Sequence, residues 1–408
     1  MYTPVESIEC KVEGLIRVVI FEPYPMGLGG NYQTQRHILE RLDRERFYPI
    51  VVAPMEGAAL KHFREMGVEC VVLPPPDSLG HYGGAVLRTG IVRKINSVFD
   101  LLRYNFQVSR FLRQRKIDVI YANCVRAELS IGLAAVIARV PSLLYIKGEL
   151  ANPLIDRVCF VLASRLLFFC SQNRDDKYPL FLRWFREKIG ILKIGLDPEL
   201  ITRVKSADHS ELRNELDIDP GRLNVAVSAQ LYRPKGQHLV LEALSKLIDE
   251  FPHIRLYFLG DHVIDEYRPY KLELERLVGQ YGLGKNVRFT GWRSDALDIV
   301  SQMDIIIHPS LSEGFGRAVL ESMALAKPVI ASAVGGLREA IRDGQNGFLV
   351  KPGDVSAITS RWKELANDPE LRQRLGEEAR RTVFVEYLID DKITSLADTW
   401  IEMGTKNN

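Results

Sequence analysis

The sequence contains no apolar run long enough to cross a lipid bilayer. Its longest apolar stretches, Leu129–Ala138 and Val158–Cys170, fall short of the ~20 residues that a spanning helix needs. The polar start, Met1 to Lys11, does not resemble a secretory signal. The five cysteines include no C-x-x-C pair, and no Cys/His cluster suggests a zinc site. These absences favour a cytoplasmic protein with reduced thiols and no metal.

Length and charge are those of an ordinary globular protein. The chain has 408 residues, which exceeds one comfortable hydrophobic core and suits two domains. The net charge of +2 combines a basic first half with an acidic second half. With so little net charge, a nucleic-acid partner is not favoured.

One segment of the first half, Arg88–Asp118, is both basic and apolar. Large apolar residues such as Phe99, Leu102 and Phe106 are interleaved with the basic ones. Two interpretations stay open: a helix with an apolar core face and a solvated basic face, or a basic amphipathic surface that touches anionic lipid or a phosphate-bearing acceptor. The basic residues are Arg88, Arg93, Lys94, Arg103, Arg110, Arg113, Arg115 and Lys116.

Short apolar runs alternate with helical patterns along the whole chain. Runs rich in Val, Ile and Leu, without alternation, predict strands covered on both faces. The helices between them imply parallel sheets wound by right-handed crossovers. The predicted strands are Ile16–Phe21, Ile50–Ala53, Val68–Leu73, Asp118–Ala122, Ser142–Ile146, Leu166–Cys170, Ile189–Ile194, Asn224–Ala229, Ile254–Leu259, Asn286–Thr290, Asp304–His308, Val329–Ala333 and Phe348–Val350.

These two arrays predict an α/β protein of two Rossmann-like, doubly wound parallel-sheet domains. The joint is expected near Gly195–Pro220, where polar residues precede a fresh strand. Ligands of such sheets bind beyond the carboxyl ends of the strands. With two domains face to face, we expect the site in the cleft between them.

The richest motif is the strand, loop and helix of Ile305–Val329. A strand ends at His308, and a helix opens near Arg317 after a glycine-containing loop. The first turn of such a helix offers unpaired N–H groups and the positive end of a dipole, which suits a diphosphate. Glu313 in the loop and Glu321 in the helix could each accept two hydrogen bonds from a sugar diol. Taken alone, two glutamates eight residues apart favour an ordinary loop and a capped helix with both acids solvated.

Two further turns follow, at Gly335–Glu339 and Asp343–Phe348. Together with Glu313-x7-Glu321, their order and spacing resemble glycosyltransferase family 4, also called glycosyl transferases group 1. The likeness covers nearly the whole chain and is strongest from Val225 to Pro352. It implies the GT-B fold, retention of the anomeric configuration, and no metal or cofactor beyond a nucleotide-sugar co-substrate, with UDP- or GDP-sugars favoured.

The resemblance assigns roles to the donor half of the site. Glu321 matches the acid that holds the ribose hydroxyls, and Glu313 matches the acid that faces the transferred sugar. Lys235, within Ser228–Gly236, matches a lysine that would stabilise negative charge on the leaving diphosphate. Backbone contacts to the sugar and the phosphates are expected from Gly314, Phe315, Gly316, Arg317, Ala318, Val319 and Leu320.

Some residues depart from the family's pattern or admit two interpretations. Gln230 stands where the family usually has arginine, so Arg233 is either a substitute cation or a solvated loop charge. Trp292 lies in the region that often meets the nucleobase, or else it simply packs. His308 is interpreted as a packing residue.

In the first half, the loop Gly27–Asn31 precedes a helix but fails G-x-G-x-x-G, because Tyr32 holds the last glycine position. In the family this loop lies over the diphosphate and the acceptor. Gly29, Gly30 and Asn31 are therefore candidate binding residues. Lys147 stands where many members have a histidine close to the sugar. It could pair with a phosphate or an acidic sugar or acceptor, or mark a changed or lost activity.

The sequence therefore predicts a retaining glycosyltransferase with Glu313, Lys235 and Lys147 as catalytic residues. We expect residues 1–197 to bind the acceptor, 198–382 to bind the nucleotide sugar, and 383–408 to form helices that cross back to the first domain. The acceptor is expected to be a sugar, a lipid-linked compound or another hydroxyl compound of cell-envelope polysaccharide or glycoconjugate synthesis. The basic first domain suggests peripheral contact with the inner face of the membrane. A GT-B epimerase or phosphorolytic enzyme, and a non-catalytic sugar-nucleotide-binding protein, remain alternatives.

Overall fold

The protein forms two compact units. The computed structural model describes residues 14–27, 30–76, 91–147, 152–172, 179–262 and 265–405. Unit 1 comprises Met1–Phe168, Leu180–Gly190 and Ile393–Asn408, and unit 2 comprises Phe169–Pro179 and Ile191–Lys392.

The first part of the chain builds a seven-stranded sheet, which belongs to unit 1. A 3-10 turn at Arg183–Lys188 precedes its last strand. Its strands and the helices between them are β1 (Ile16–Phe21), α1 (Gly30–Arg41), β2 (Phe47–Ala53), α2 (Ala58–Glu65), β3 (Glu69–Val72), α3 (Ile91–Gln114), β4 (Val119–Ala122), α4 (Val125–Ala138), β5 (Ser142–Ile146), α5 (Pro153–Leu162), β6 (Arg165–Phe168), α6 (Pro179–Leu182) and β7 (Ile189–Ile191).

The second part builds a six-stranded sheet, which belongs to unit 2. The polar stretch that the sequence suggested as a joint forms two helices of this unit, α7 and α8. The elements are α7 (Pro198–Ser206), α8 (Ser210–Leu216), β8 (Leu223–Ser228), α9 (Gln237–Leu247), β9 (Ile254–Leu259), α10 (Arg268–Gln280), β10 (Val287–Gly291), α11 (Ala296–Ser301), β11 (Ile305–His308), α12 (Arg317–Ala324), β12 (Val329–Ser332), α13 (Leu337–Ala340), β13 (Phe348–Val350), α14 (Val355–Asn367), α15 (Pro369–Glu386) and α16 (Ile389–Thr405).

The two sheets share one topology. The first has the order β3-β2-β1-β4-β5-β6-β7 and the second the order β10-β9-β8-β11-β12-β13. Pairs on both sides of each central strand are parallel. In each sheet the direction of winding reverses between two neighbouring strands, β1 and β4 in unit 1 and β8 and β11 in unit 2. Ligands of such sheets bind at the carboxyl ends of those strands.

Every predicted strand is a strand in the structure, with ends that differ by a few residues. The reason is that both faces of each sheet are covered, so unbroken runs of Val, Ile and Leu are stable there. In unit 2, Val225 and Ile307 are fully buried together with Val240 of α9 and Trp362 of α14.

The end of α16 packs in unit 1. The indole of Trp400 is fully buried and makes edge contacts with Phe47 and Tyr121, at centroid distances of 5.9 Å and 5.6 Å. The last helix therefore contributes to the core of the unit in which the chain begins.

The described part of the chain contains no helix that is both long and apolar enough to span a bilayer. In the same residues no three His, Cys, Asp or Glu side chains lie together as metal ligands would. Cys159 and Cys170 are buried, and Cys70 and Cys124 are half-buried.

Candidate functional site

Two loops meet at the carboxyl edge of the unit 2 sheet. One follows β8 and contains the 3-10 turn Arg233–Lys235, and the other follows β11. The amide of Leu311 donates a hydrogen bond of 2.7 Å to the carbonyl of Pro234. Gly236 has φ +73° and lies so close to the second loop that a Cβ would come within 2.3 Å of the Pro309 carbonyl oxygen. The glycine therefore allows the two loops to touch.

Glu313 is the centre of a polar cluster between these loops. Its Oε2 lies 2.6 Å from Lys235 Nζ and 2.9 Å from His308 Nε2, and the Ser310 hydroxyl is 3.3 Å away. Its Oε1 accepts a hydrogen bond of 3.2 Å from the Gly314 amide. Residues from both sides of the strand reversal thus hold one carboxylate in place.

The neighbours of Glu313 determine the ionisation of its carboxyl. Burial alone raises the pKa of its carboxyl, but the hydrogen bond from His308 and the charge of Lys235 outweigh burial and lower the pKa to about 2. Glu313 is therefore ionised throughout the neutral range. Only 12% of its side chain is exposed, so solvent screens the charge weakly.

Helix α12 begins directly behind this cluster. Gly316 is the N-cap of this helix and has a left-handed backbone conformation. The Gly316 carbonyl accepts hydrogen bonds from the amides of Val319 and Leu320. Those two amides are satisfied inside the helix, which differs from their predicted role at the phosphates. The amides of Arg317 and Ala318 have no backbone partner among the described residues, so these two remain available to an anion.

The loop between Glu313 and α12 is anchored by its aromatic residue. Phe315 is 2% exposed and packs against the rings of Phe169 and Tyr387, at 5.9 Å and 5.6 Å. Its side chain thus belongs to the core of unit 2. The Phe315 side chain is therefore not available to a ligand, and the backbone contacts expected from Gly314, Phe315 and Gly316 stay a prediction.

The turn at Gly335–Gly336 contacts the loop that contains Glu313. The Gly336 amide donates to the Gly314 carbonyl at 2.9 Å. Glu339, in the short helix that follows, accepts hydrogen bonds of 2.6 Å from both the amide and the hydroxyl of Ser171. This turn therefore positions the Glu313 loop.

Glu321, in α12, has a different environment from Glu313. Burial raises the pKa of its carboxyl to about 7, and Arg317 opposes this shift. No described residue donates a hydrogen bond to its side chain. A ligand with two neighbouring hydroxyls would supply the donors that this carboxylate lacks.

The other predicted donor-side residues are more exposed. Arg233 pairs with Glu273 at 2.5 Å and lies over the ring of Tyr270, with 60% of its side chain exposed. Trp292 follows β10 and is 75% exposed, so it does not pack in the core. Gln230 is also exposed. The structure brings Lys235 to Glu313 and leaves Arg233 in a separate ion pair.

Unit 1 also has a cluster of polar side chains at the point where the direction of winding of its sheet reverses. Glu22 follows β1, Asn123 follows β4, and Gln35 lies on α1; all three are almost fully buried. Glu22 Oε2, Gln35 Oε1 and both amide atoms of Asn123 have no hydrogen-bond partner among the described residues. Burial raises the pKa of Glu22, while the Tyr24 amide and the Lys147 charge lower it.

Three predicted residues of unit 1 are placed as follows. Lys147 directly follows β5, and its Nζ lies 5.7 Å from the centroid of the Tyr145 ring. Gly30 begins α1, and Asn31 is half-buried in its first turn. Gly29 lies outside the described residues.

Several residues of these clusters were not found from the sequence. His308 was interpreted as a packing residue; it is buried, and its Nε2 also forms a hydrogen bond with Glu313, which the sequence did not predict. Ser310, Glu22 and Asn123 were not singled out. Their common signal is a polar residue within two positions of the carboxyl end of a predicted strand.

The family match lies within unit 2. Residues 208–382 match the family described as Glycosyl transferases group 1. The chain is 33% identical over 215 residues to the putative glycosyltransferase EpsD of Bacillus subtilis, covering 52% of this chain and 55% of that protein. It is 29% identical over 185 residues to the lipopolysaccharide core biosynthesis glycosyltransferase LpsE of Rhizobium meliloti, covering 45% of this chain and 50% of that protein. The chain thus spans about half the length of these curated relatives.

The architecture is shared over a longer stretch. The crystal structure of Anabaena HepE in complex with UDP aligns with a TM-score of 0.78 and 22% identity, covering 95% of this chain and 100% of that one. HepE has also been solved with UDP-glucose. The likeness confirms the predicted GT-B fold of two parallel-sheet α/β domains.

Proposed function

We propose that this chain, whose residues 208–382 match the family described as Glycosyl transferases group 1, is a retaining glycosyltransferase that moves a sugar from a nucleotide-sugar donor to an acceptor hydroxyl. The observation that carries the proposal is the convergence of Lys235, His308 and Ser310 on Glu313 at the carboxyl ends of β8 and β11. A fixed carboxylate suits sugar hydroxyls. The ammonium and the free amides of α12 beside it suit a diphosphate.

Each group of the cluster has a distinct part in this proposal. Glu313, ionised and held on three sides, accepts hydrogen bonds from the transferred sugar. Lys235 stabilises the negative charge that develops on the diphosphate as the glycosidic bond breaks. Glu321 holds the ribose. We assign none of the described side chains the part of a covalent nucleophile; attack by the acceptor from the face that the diphosphate leaves retains the configuration.

The acceptor side of the proposal rests on unit 1. Glu22, Gln35 and Asn123 offer buried groups that accept and donate hydrogen bonds, and the Lys147 charge lies close to Glu22. These residues are suited to a hydroxyl-bearing acceptor. Cell-envelope polysaccharide or glycoconjugate synthesis in the cytoplasm remains the proposed setting. The name of LpsE, a lipopolysaccharide core biosynthesis glycosyltransferase, is in keeping with it.

The direct test is thermal unfolding with UDP, GDP, ADP and dTDP in separate samples. At about a hundred times its dissociation constant, the preferred nucleotide is expected to stabilise the chain by about 2.7 kcal/mol. Nucleosides lacking the diphosphate should stabilise it less at the same concentration. If none of the four raises the melting temperature, the donor-site assignment is wrong.

The transfer reaction is then tested with the sugar conjugates of the preferred nucleotide. Free nucleotide released together with a glycosylated acceptor supports transfer with the predicted chemistry. A new nucleotide sugar formed without an acceptor would indicate an epimerase instead. Nucleotide binding without turnover of any donor would favour the non-catalytic alternative.

Nucleotide binding is also expected to depend on pH through Glu321. Its pKa of about 7 in the unliganded protein leaves the carboxyl mostly protonated at pH 6, whereas ribose hydroxyls donate to the ionised form. Affinity for the matching nucleoside should therefore rise roughly tenfold from pH 6 to pH 8 and level off above that range. Isothermal titration with the nucleoside avoids titration of phosphate groups.

Glu321→Gln is the matched control because glutamine does not titrate. Its binding should be weaker and independent of pH. Without ligand, the raised pKa means that the folded state binds the proton more tightly than the unfolded chain. This contribution to stability is complete below the unfolded pKa and is lost as pH rises through 7. The free energy of unfolding of the Glu321→Gln variant should therefore decline less than that of the unchanged protein as pH rises through 7. An equal pH slope in both proteins would contradict this role.

A further inference from the structure

Three helices of unit 1 lie side by side, with α4 between α3 and α5. The side-chain oxygen of Asn105 in α3 accepts the Ala134 amide of α4 at 2.9 Å. The thiol of Cys159 in α5 lies 3.6 Å from the Val125 carbonyl of α4. The outward surfaces of the three helices therefore form one continuous face.

The outward side of α3 is apolar. Phe99, Leu102 and Phe106, spaced three and four residues apart, are 68%, 48% and 63% exposed. The opposite side of the helix, with Tyr104 and Val108, is buried in the core. A surface helix of a globular protein normally has only one apolar side, the side that faces the core.

The apolar character continues across the neighbouring helices. On α5, Leu154, Val158 and Val161 follow a helical spacing and are 72%, 43% and 56% exposed. Between α3 and α5, helix α4 turns the half-buried Leu133 and the exposed Val136 outward. These outward residues of α3, α4 and α5 together are named the α3–α5 face.

Exposed charge on this face has one sign. Arg103 and Arg110 lie on α3 among its outward aromatic residues, and Arg157 lies on α5. The acids of the described parts of these helices are withdrawn from the surface: Glu128 and Asp156 are buried, and Asp100 is half-buried. The face thus combines large apolar side chains with arginines.

We propose that the α3–α5 face docks on the surface of a bilayer that contains anionic phospholipid. An apolar area of this kind is rare on a protein surface that faces only water. Phenylalanine and leucine can enter the boundary between headgroups and acyl chains, while guanidinium groups pair with lipid phosphates. A second copy of the chain fits less well, because a two-fold contact would bring arginines against arginines. The inference gives the proposed glycosyltransferase access to lipid-linked acceptors, but the surface itself is independent of the donor site.

The test is flotation of the full chain with vesicles of phosphatidylcholine, with and without phosphatidylglycerol. We expect binding that requires phosphatidylglycerol and weakens as salt screens the charges. Arg103→Glu with Arg110→Glu should lower the partition coefficient by about tenfold or more. Phe99→Ser with Phe106→Ser should lower it by a similar factor, since it removes the apolar contact.

Matched controls come from exposed residues of unit 2. Arg276→Glu with Arg374→Glu makes the same change in net charge, and Leu272→Ser with Val385→Ser removes similarly exposed apolar side chains. Both controls should bind vesicles as the unchanged protein does. The nucleotide-induced rise in melting temperature should persist in every variant, which shows that the chain is folded and that the donor site is unaffected.

The proposal is overturned by equal binding to neutral vesicles, by no binding to either kind, or by an equal loss of binding in the controls. A dimer in solution that the Phe99→Ser and Phe106→Ser pair converts to a monomer would also overturn it, in favour of self-association. Each of these results can occur while nucleotide binding is intact. Failure of this proposal is thus distinguishable from failure of the proposed function.

Discussion

Lys235→Met is expected to lower the rate of donor turnover by about a hundredfold to a thousandfold, while the chain stays folded. The substitution removes the ammonium that lies 2.6 Å from Glu313 Oε2, on the side where the two loops meet. A diphosphate bound at the amides of α12 would lose the positive charge of this ammonium. The pKa of Glu313 should rise from about 2 as well, because one of the groups that lowers it is gone.

The measurement is the release of free nucleotide from the donor that the unfolding experiment identifies. Arg233→Met is the control, since Arg233 is two residues away but exposed and paired with Glu273. It should change the rate by no more than a few fold. If Arg233→Met is the damaging variant and Lys235→Met is not, the cation at the diphosphate has been assigned to the wrong residue.

Gly335→Ala is expected to damage the donor site far more than a glycine substitution normally does. At φ +50° the residue is in the left-handed region, and a Cβ would lie 2.2 Å from the Gly314 carbonyl oxygen and 2.3 Å from that of Glu313. Backbone atoms cannot swing away as a side chain can. The Glu313 loop must therefore shift, or unit 2 must absorb the strain.

Gly344→Ala is the control that separates the cost of a left-handed backbone from the cost of a steric clash. Gly344 has φ +72°, but nothing lies within 4 Å of its Cβ position, so only the left-handed backbone is penalised, by about 1–2 kcal/mol. Gly335→Ala should cost at least about 3 kcal/mol more, or weaken nucleotide binding by about a hundredfold at similar stability. Thermal unfolding with and without the preferred nucleotide measures both. Equal behaviour of the two variants would show that the turn does not position the loop.

Secondary structure and topology were largely readable from the sequence. Runs such as Ile16–Phe21 and Ile254–Leu259 are strands with the predicted bounds. A strand buried on both faces has to be continuously apolar, so its signal is local. The polar stretch near Pro198–Leu216, which was expected to join the two domains, forms two short helices, α7 and α8, of which α7 buries Ile201 and Val204.

The candidate site was only partly predictable. Lys235 and Glu313 were identified by motif, but nothing local says that residues 78 positions apart meet at 2.6 Å. His308 shows the limit most clearly. Its position at the end of a buried strand indicates packing, whereas its role depends on a loop residue five positions later folding back to its imidazole.

The two glutamates make the same point about charge. The sequence offers them as a matched pair, eight residues apart. The structure gives Glu313 a pKa of about 2 and the half-buried Glu321 a pKa of about 7. His308 and Lys235 lower the first against the effect of burial, whereas only Arg317 opposes the effect of burial on the second. Ionisation depends on neighbours in space, which the residue type does not encode.

The sequence by itself determined the strands, the parallel winding and the order of the motifs, since these follow from local apolar periodicity and from glycine-rich turns. Tertiary structure alone decided which groups surround Glu313, which carboxyl is ionised, and that α3, α4 and α5 turn apolar side chains outward together. These properties depend on distances between segments far apart in the chain. When a helix has apolar residues on two sides, the sequence does not tell which side is buried, and only its packing shows which side is left exposed.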